Sequence, residues 1–121
     1  MENWLERTQL LVGEDVIKIF SESSVAVVGL GGVGAYAAEM LVRSGIGNIL
    51  ILDSDAVSIT NKNRQLLALE STLGHQKSEV MAQRLKDINP QLNLTVIDEY
   101  LTPENVEELL SPHKIDFLVD A

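Results

Sequence analysis

The sequence predicts an α/β fold: a doubly wound parallel sheet with helices on both faces and with N-terminal helices preceding the first strand. Short aliphatic, β-branched runs, such as SVAVV at 24–28 and NILIL at 48–52, are typical of strands buried in a parallel sheet. Longer segments with apolar residues at helical spacing alternate with these runs. Such alternation implies parallel strands joined by right-handed crossovers.

Glycine, proline and threonine mark the limits of these elements. Gly45 and Gly47 end the helix after the first strand, and Pro90 ends a later one. Thr102 followed by Pro103 indicates a helix start, because threonine caps free N–H groups and proline suits the first helical position. In chain order we expect a helix in two pieces at 4–20, a strand at 24–28, a helix at 33–44, a strand at 48–52, a loop at 53–63, a helix at 77–88, a strand at 92–97, a helix at 102–110 and a strand at 116–119.

Length and composition restrict the class of protein. The chain of 121 residues suits one small domain, which we divide into an N-terminal helical segment at 1–22 and a half-domain at 23–121. Because the sequence stops just after the last predicted strand, we expect an N-terminal fragment of a longer protein. The absence of cysteine excludes a disulfide framework and a thiolate metal site. The net charge of −9 argues against a wholly basic surface for nucleic acid.

Nothing in the sequence points to a membrane or to secretion. No apolar run approaches the roughly 18 residues of a membrane span. The N-terminus, MENWLERTQ, contains acidic residues and lacks the apolar core of a signal peptide. We therefore expect a cytoplasmic protein that makes no membrane contact.

The first motif that carries chemistry is GLGGVG at residues 29–34, a G-x-G-x-x-G placed directly between a predicted strand and a predicted helix. Gly29 permits the tight turn, Gly31 lets the backbone approach a phosphate, and Gly34 allows close packing of helix against strand. The free N–H groups at the helix start then face an anion. The motif predicts a Rossmann-like nucleotide site in the half-domain.

Asp53 stands at the end of the next predicted strand, nineteen residues beyond Gly34. An acid at this position accepts hydrogen bonds from the ribose hydroxyls of a bound nucleotide. The motif and the acid do not distinguish between NAD, FAD, S-adenosylmethionine and ATP. A glycine turn that binds no ligand is the alternative without function. A nicotinamide dehydrogenase would be the usual default.

The segment after Asp53 argues against that default. The chain continues with a polar run that contains Asn61, Arg64 and Gln65, and Lys77 follows at the start of a helix. Two cations near a bound polyphosphate suit phosphate transfer or adenylation, because fixed positive charge stabilises the negative charge of the transition state. Hydride transfer would not need them. Each cation taken singly could equally form a surface ion pair.

Four spaced motifs together resemble the ThiF/MoeB/HesA family, the ATP-dependent adenylating relatives of ubiquitin-activating enzymes. They are GLGGVG, ILDSDAVSITNKNRQ, GHQKSEVMAQRLKDINP and LTPENVEELL, and they extend across essentially the whole chain. Members that activate sulfur carriers typically read SNLQRQ where this chain reads TNKNRQ. The TN-x-NRQ form and the opening RTQLLVGED resemble instead the branch that uses ATP to cyclise a threonylcarbamoyl group on tRNA.

This resemblance implies a role for each matching residue. Catalytic roles fall to Arg64 and Lys77, which would contact the triphosphate, and to Arg7, which would reach the ATP of a partner subunit in a homodimer. The family's metal-binding aspartate would fall beyond Ala121, so no Mg²⁺ ligand is assigned in this chain, and Asp120 is not the expected one. The residues implied to bind the nucleotide are Gly29, Gly31, Gly32, Gly34, Asp53, Asn61, Arg64, Gln65 and Lys77.

The resemblance implies an ATP- and Mg²⁺-dependent adenylating enzyme with tRNA as its substrate, and the 121 residues alone could be inactive. An adenylyltransferase for a ubiquitin-like sulfur carrier protein is the alternative within the same chemistry, with proteins of a sulfur-donor system as partners. A NAD-binding oxidoreductase or a noncatalytic nucleotide-binding module is the more distant alternative. NAD binding that needs neither Arg64 nor Lys77 would favour that last alternative.

Overall fold

The structure, a computed structural model, describes residues 3–121. Strands and helices alternate along most of the described chain. Two short 3₁₀ helices, Ile59–Asn63 and Glu70–Thr72, interrupt the segment between the second strand and the fourth helix. The other elements are α1 (Glu6–Val12), α2 (Glu14–Glu22), β1 (Ser24–Val28), α3 (Gly34–Arg43), β2 (Asn48–Leu52), α4 (Lys77–Ile88), β3 (Asn93–Ile97), α5 (Val106–Leu110) and β4 (Phe117–Asp120).

The four strands form one parallel sheet in the order β3-β2-β1-β4. Because the strands are parallel, their carboxyl ends meet at one edge. Backbone hydrogen bonds continue just past those ends: Gly29 N–H donates to Leu52 at 2.8 Å, and Asp53 N–H donates to Ile97 at 3.2 Å. The turn after β1 and the acid after β2 are therefore neighbours, which is where ligands bind in open α/β sheets.

Helices cover both faces of this sheet. On one face, strand residues such as Val27 and Ile51 pack with Ala38 of α3 and Met81 of α4 in the larger hydrophobic cluster. On the other face, Ala26, Leu50 and Leu52 form a smaller cluster against α5 and the loops beside it. The predicted α/β fold with a doubly wound parallel sheet is confirmed.

The two N-terminal helices lie near the end of the sheet opposite to the strands' carboxyl ends. The side chain of Leu5 packs against Gly45, just past the C-terminus of α3, and the backbone of Ser21 lies against Gly47. The predicted break at Gly13 is confirmed, because this residue separates α1 from α2 with a φ of +90°. The division into segments 1–22 and 23–121 stays a prediction, and its first two residues lie outside the described ones.

The predicted helix at 102–110 is wrong at its start. The helix begins at Val106, four residues later than expected. Thr102 and Asn105 exchange hydrogen bonds, with Asn105 N–H donating to Thr102 Oγ1 at 3.2 Å and Thr102 N–H donating to Asn105 Oδ1 at 2.7 Å. This exchange is a capping box, and Val106 N–H donates to the carbonyl oxygen of Thr102 at 3.0 Å. Thr102 thus caps as predicted, but residues 103–105 form a turn and the regular helix starts at Val106. Within residues 3–121, no helix is long and apolar enough to cross a membrane.

Candidate functional site

Two glycines of the turn after β1 are required by packing. A Cβ on Gly34 would overlap the carbonyl oxygen of Gly29, and a Cβ on Gly29 would overlap the carbonyl oxygen of Ala121. Gly29 also adopts a φ of +93°, in the left-handed region. Leu30, between them, is fully buried and anchors the turn in the core. The tight turn and the close helix–strand approach predicted from the motif are both present.

Gly31 and Gly32 keep the turn open for a different reason. A Cβ on Gly31 would lie 3.5 Å from Gln65 Nε2, and one on Gly32 would lie 3.8 Å from Arg64 Cγ. Both glycines thus expose backbone beside polar side chains of the following segment. No side chain caps the N-terminus of α3, as far as residues 3–121 extend. An open backbone at an uncapped helix start is suited to an anion.

Asp53 is held in place by two backbone donors. Leu30 N–H donates to its Oδ2 at 2.7 Å, and Asp55 N–H donates to its Oδ1 at 2.7 Å. The side chain is half-buried at the carboxyl end of β2. Each carboxylate oxygen can accept a further hydrogen bond. The acid is therefore oriented by the backbone and retains acceptor capacity for ribose hydroxyls.

The polar segment after β2 forms the 3₁₀ helix Ile59–Asn63 and places Arg64 at its end. Asn61 Oδ1 accepts the N–H of Ser58 at 2.9 Å, so one side of this amide serves the local fold. The exposed guanidinium of Arg64 donates to Asn63 Oδ1 at 2.8 Å. Because the stem of Arg64 lies beside Gly32, its charge stands close to the open turn.

Gln65 is buried against the same turn. Its Oε1 has no hydrogen-bond partner among the atoms of residues 3–121. A buried polar atom without a partner costs free energy, about 1–3 kcal/mol for an amide or hydroxyl. Because this oxygen is an acceptor, a bridging water or a ligand donor would satisfy it, whereas a phosphate would be met by Nε2 of the same amide, which faces Gly31.

Lys77 is only 5% exposed, although it begins a helix. Its N–H donates to the carbonyl oxygen of Asp55 at 2.9 Å, and its Nζ lies 4.0 Å from Asp55 Oδ2. A backbone bridge between Ala56 and Gln76 ties the start of α4 to the segment after β2. The lysine is thus held against the loop that follows Asp53, and its ammonium lies on the side of Asp55.

A cavity of about 200 Å³ opens beside Asp53. Its wall includes Gly29 from the turn, together with Glu99, Tyr100 and Leu101 from the loop after β3. None of these three loop residues is predicted from the sequence. Their position could have indicated them, since they follow β3 as Asp53 follows β2 and parallel strands end at the same edge.

The structure does not bring Arg7 to the other predicted residues. Arg7 is exposed on α1, whose preceding residue Leu5 packs at the C-terminal end of α3. The glycine turn lies at the opposite end of that helix, about 15 Å away at 1.5 Å per residue. Within one protomer, the residue that precedes α1 thus lies about one helix length from the turn.

The described residues offer no clustered metal site. Within residues 3–121, no three His, Asp or Glu side chains lie close enough together to hold a metal ion. Mg²⁺ at nucleotide sites is usually bound by one or two carboxylates together with substrate phosphates. The role of Mg²⁺ stays a prediction.

An ion pair with a buried acid joins the helices α3 and α4. Arg84 of α4, whose side chain is 39% exposed, donates a hydrogen bond to Glu39 of α3, and Arg43 Nε lies 3.4 Å from the other carboxylate oxygen. The Glu39 side chain is only 8% exposed. The hydrogen bond from Arg84 holds the pKa of Glu39 below its ordinary value, against the opposing effect of burial. Sequence analysis did not single out Glu39.

Known proteins with similar sequences are tRNA-modifying and adenylating enzymes. The tRNA threonylcarbamoyladenosine dehydratase of Escherichia coli is 46% identical over 111 residues, which cover 89% of this chain and 41% of the relative. The Bacillus subtilis protein of the same name is 42% identical over 121 residues, covering 100% of this chain and 47% of the relative. The molybdopterin-synthase adenylyltransferase of Escherichia coli is 35% identical over 103 residues, which cover 85% of this chain and 40% of the relative.

The fold is likewise shared with solved structures. The E. coli tRNA N6-threonylcarbamoyladenosine dehydratase in complex with ATP superposes with a TM-score of 0.91 at 43% identity, covering 95% of this chain and 47% of that one. The chain thus spans about half the length of the relatives that it matches. Residues 5–121, nearly the whole sequence, match the ThiF family. The chain belongs to the ThiF family, as this match shows together with the glycine turn and the acid after β2.

Proposed function

We propose that this protein binds ATP and adenylates a carboxylate. The carboxylate is that of the threonyl group of threonylcarbamoyladenosine in tRNA. The observation that carries the proposal is Arg64 beside Gly32. A fixed cation next to an uncapped, open glycine turn is an arrangement for a polyphosphate. The dehydratase names of the relatives and the ATP-bound neighbour support the choice of reaction.

The geometry suggests a position for each part of ATP. Asp53 would accept the ribose hydroxyls, and the adjoining cavity at Tyr100 and Leu101 would take the nucleoside. The phosphates would lie over Gly31 and Gly32. The side chains proposed to contact the triphosphate are Asn61, Arg64, Gln65 and Lys77.

In the proposed first step, an oxygen of the substrate carboxylate attacks the α-phosphorus of ATP. A P–O bond forms, the bond between the α-phosphorus and its bridging oxygen breaks, and pyrophosphate leaves. Arg64 and Lys77 would stabilise the negative charge that develops on the phosphates. Mg²⁺, when bound to those phosphates, supplies further positive charge.

In the proposed second step, an atom of the carbamoyl group attacks the activated carbonyl carbon of the same nucleoside. The ring closes, AMP leaves with the former carboxylate oxygen, and the net change is loss of water. Because the nucleophile belongs to the substrate, this route requires no covalent residue of the protein.

The same proposal includes the assembly and its surroundings. We propose a homodimer in which Arg7 of one subunit reaches the ATP of the other, because Arg7 is exposed and remote from its own site. An enzyme acting on tRNA is expected in the cytoplasm. The alternative substrate is a sulfur carrier protein, which the 35% identical molybdopterin-synthase adenylyltransferase favours.

Isothermal titration of the chain with ATP and with NAD, each with Mg²⁺, tests the nucleotide. We expect ATP to bind, and Arg64→Ala to weaken it roughly tenfold, by about 1.5 kcal/mol for one charged hydrogen bond. Lys18→Ala removes an exposed cation from α2 and is the matched control. NAD binding indifferent to Arg64, without ATP binding, would refute the adenylation proposal.

Substrate choice requires a second measurement. Exchange of labelled pyrophosphate into ATP is measured with tRNA that carries threonylcarbamoyladenosine, with unmodified tRNA, and with a ubiquitin-like sulfur carrier. Exchange stimulated only by the modified tRNA is expected. Stimulation by the carrier protein alone would transfer the assignment to the sulfur-carrier alternative.

A further inference from the structure

The pair of buried Glu39 and half-buried Arg84 connects two helices, each of which contributes to the candidate site at its N-terminus. α3 begins at Gly34, the last glycine of the turn, and α4 begins at Lys77. The two paired residues stand 45 positions apart in sequence. In the part of the chain that the structure describes, this is the one side-chain hydrogen bond between α3 and α4.

The pair lies close to the site along both helices. Glu39 is five residues past Gly34, and Arg84 is seven residues past Lys77. At 1.5 Å per residue these separations are about 8 and 11 Å. An axial or rotational shift of α4 at Arg84 would therefore reach Lys77 with little loss, because a helix moves as a rigid unit over two turns.

Apolar packing is not the only contact that holds α4. The backbone hydrogen bonds at Lys77 and at the bridge before it tie the start of the helix to the loop after β2. The facing surfaces of the two helices include Ala35 and Ala38 of α3 and Met81 and Leu85 of α4, all in one hydrophobic cluster. Hydrophobic contact is non-directional. The charge-assisted hydrogen bond from Arg84 to Glu39 is directional, so it selects one arrangement of α4 against α3.

We infer that Glu39 is a positioning residue for the nucleotide site: by holding Arg84, it fixes α4 against α3 and places Lys77 beside the glycine turn. The inference rests on the proposed function for the contact between Lys77 and phosphate. The position of Lys77 can be measured without ATP. That position and the proposed contact between Lys77 and phosphate can therefore be tested separately.

The first test is a double-mutant cycle on ATP affinity in the chain. Glu39→Gln is expected to weaken ATP binding roughly tenfold, the effect of losing about one hydrogen bond between Lys77 and phosphate. In a Lys77→Met background, the same substitution is expected to have no further effect, because the group that it positions is gone. An equal loss in both backgrounds, or no loss in either, would overturn the inference.

The second test needs no ATP. The acetylation rate of Lys77 by acetic anhydride is measured by peptide mass spectrometry against exposed Lys18 in the same molecule. Glu39→Gln is expected to raise the relative rate as the nearly buried amine becomes accessible. An unchanged rate contradicts the inference even if ATP fails to bind, an outcome that would by itself refute only the proposed function.

Two further variants separate positioning from loss of folding. Glu70→Gln breaks an exposed ion pair with Lys62 elsewhere in the chain and should change neither readout. If Glu39→Gln does not fold, Glu39→Asp retains the charge and shortens the side chain, and the same two measurements apply. All rates are compared at a temperature at which circular dichroism shows each variant folded.

Discussion

The backbone N–H of Leu30 donates a hydrogen bond of 2.7 Å to Oδ2 of Asp53. This bond joins the glycine turn after β1 to the acid that ends β2. The other oxygen of the carboxylate accepts the N–H of Asp55 at 2.7 Å. Asp53 thus organises the loops on either side of it and, on the proposed function, also meets the ribose.

The first prediction separates these two roles of Asp53. In Asp53→Asn the charge is lost, and one of the two backbone donors faces an amide nitrogen. We expect ATP to bind roughly 10- to 100-fold more weakly, because hydrogen bonds to a charged group contribute about 1.5–3 kcal/mol and each tenfold is 1.4 kcal/mol. Isothermal titration measures the loss.

The control for Asp53 is a nucleotide without ribose hydroxyls. 2′,3′-Dideoxy-ATP should bind the original chain and Asp53→Asn with similar affinity, since the contact at issue is absent in both. If Asp53→Asn weakens dideoxy-ATP as much as it weakens ATP, the residue acts through the loops and not through the ribose.

The second prediction distinguishes glycines needed for packing from glycines needed for a ligand. Gly34→Ala places a methyl group on the carbonyl oxygen of Gly29 and should lower the free energy of unfolding by about 1–3 kcal/mol or more. Gly32→Ala meets only Arg64 carbons, at 3.8 and 3.9 Å, and should change it by no more than about 0.5 kcal/mol. Urea unfolding measures both.

ATP affinity should be lost in the variant that keeps its stability, Gly32→Ala. A methyl group at Gly32 points into the space through which the backbone would approach a phosphate, so a stable Gly32→Ala should bind ATP weakly. Normal affinity in Gly32→Ala would contradict the placement of the phosphates over Gly31 and Gly32.

Local signals account for the parts of the fold and site that sequence predicts. The aliphatic runs of β1 and β2 are buried strands because both faces of the sheet are covered. The G-x-G-x-x-G motif predicts its turn because Gly29 and Gly34 have no room for a Cβ. Most of these features depend on residues close in sequence or on the right-handed crossovers of a parallel sheet; at Gly29 the lack of room comes from Ala121, which β4 places beside β1.

The parts that sequence does not predict depend on contacts between distant residues. Glu39 stands among alanines and looks like any polar residue of α3, and its burial is created by α4, 45 residues away. Lys77 looks like a solvated first residue of a helix, yet the bridge between Ala56 and Gln76 buries it. The start of α5 is an exception, because Thr102 and Asn105 are close in sequence and form the cap that the sequence predicts, followed by a turn at 103–105 before the helix.

The third prediction concerns stability against pH. Because Arg84 lowers the pKa of Glu39 below its ordinary value of 4.5, the pair stabilises the folded state fully above that pH. As pH falls below 4.5 through the lowered folded-state value, the carboxylate becomes protonated and this contribution is lost. The difference in unfolding free energy between the original chain and Glu39→Gln should therefore shrink towards zero as pH decreases.

Urea titrations of both chains from pH 7 to pH 3 test this dependence. At pH 7 the difference should be about 1.5–3 kcal/mol, the range for a hydrogen bond to a charged group. The subtraction removes the effect of the other acidic residues, which both chains share. A difference that stays constant over the whole range would show that the charge of Glu39 does not stabilise the fold.

The fourth prediction is that Lys77 stabilises the transition state more than it stabilises bound ATP. Its Nζ has one described carboxylate neighbour, Asp55 at 4.0 Å, whose side chain is 74% exposed. Such an exposed partner holds the ammonium only weakly, so the charge remains available for the phosphates during attack. Lys77→Met keeps the length and the apolar packing of the buried side chain while removing the charge.

We expect Lys77→Met to reduce pyrophosphate exchange roughly 10²- to 10³-fold, as loss of one group that stabilises developing charge does. ATP affinity should fall by a smaller factor, because the ground-state triphosphate also contacts the turn and Arg64. Asp55→Asn, which removes the exposed partner and leaves the ammonium in place, should retain exchange. If Lys77→Met lowers affinity and exchange by the same factor, Lys77 binds ATP without selective stabilisation of the transition state.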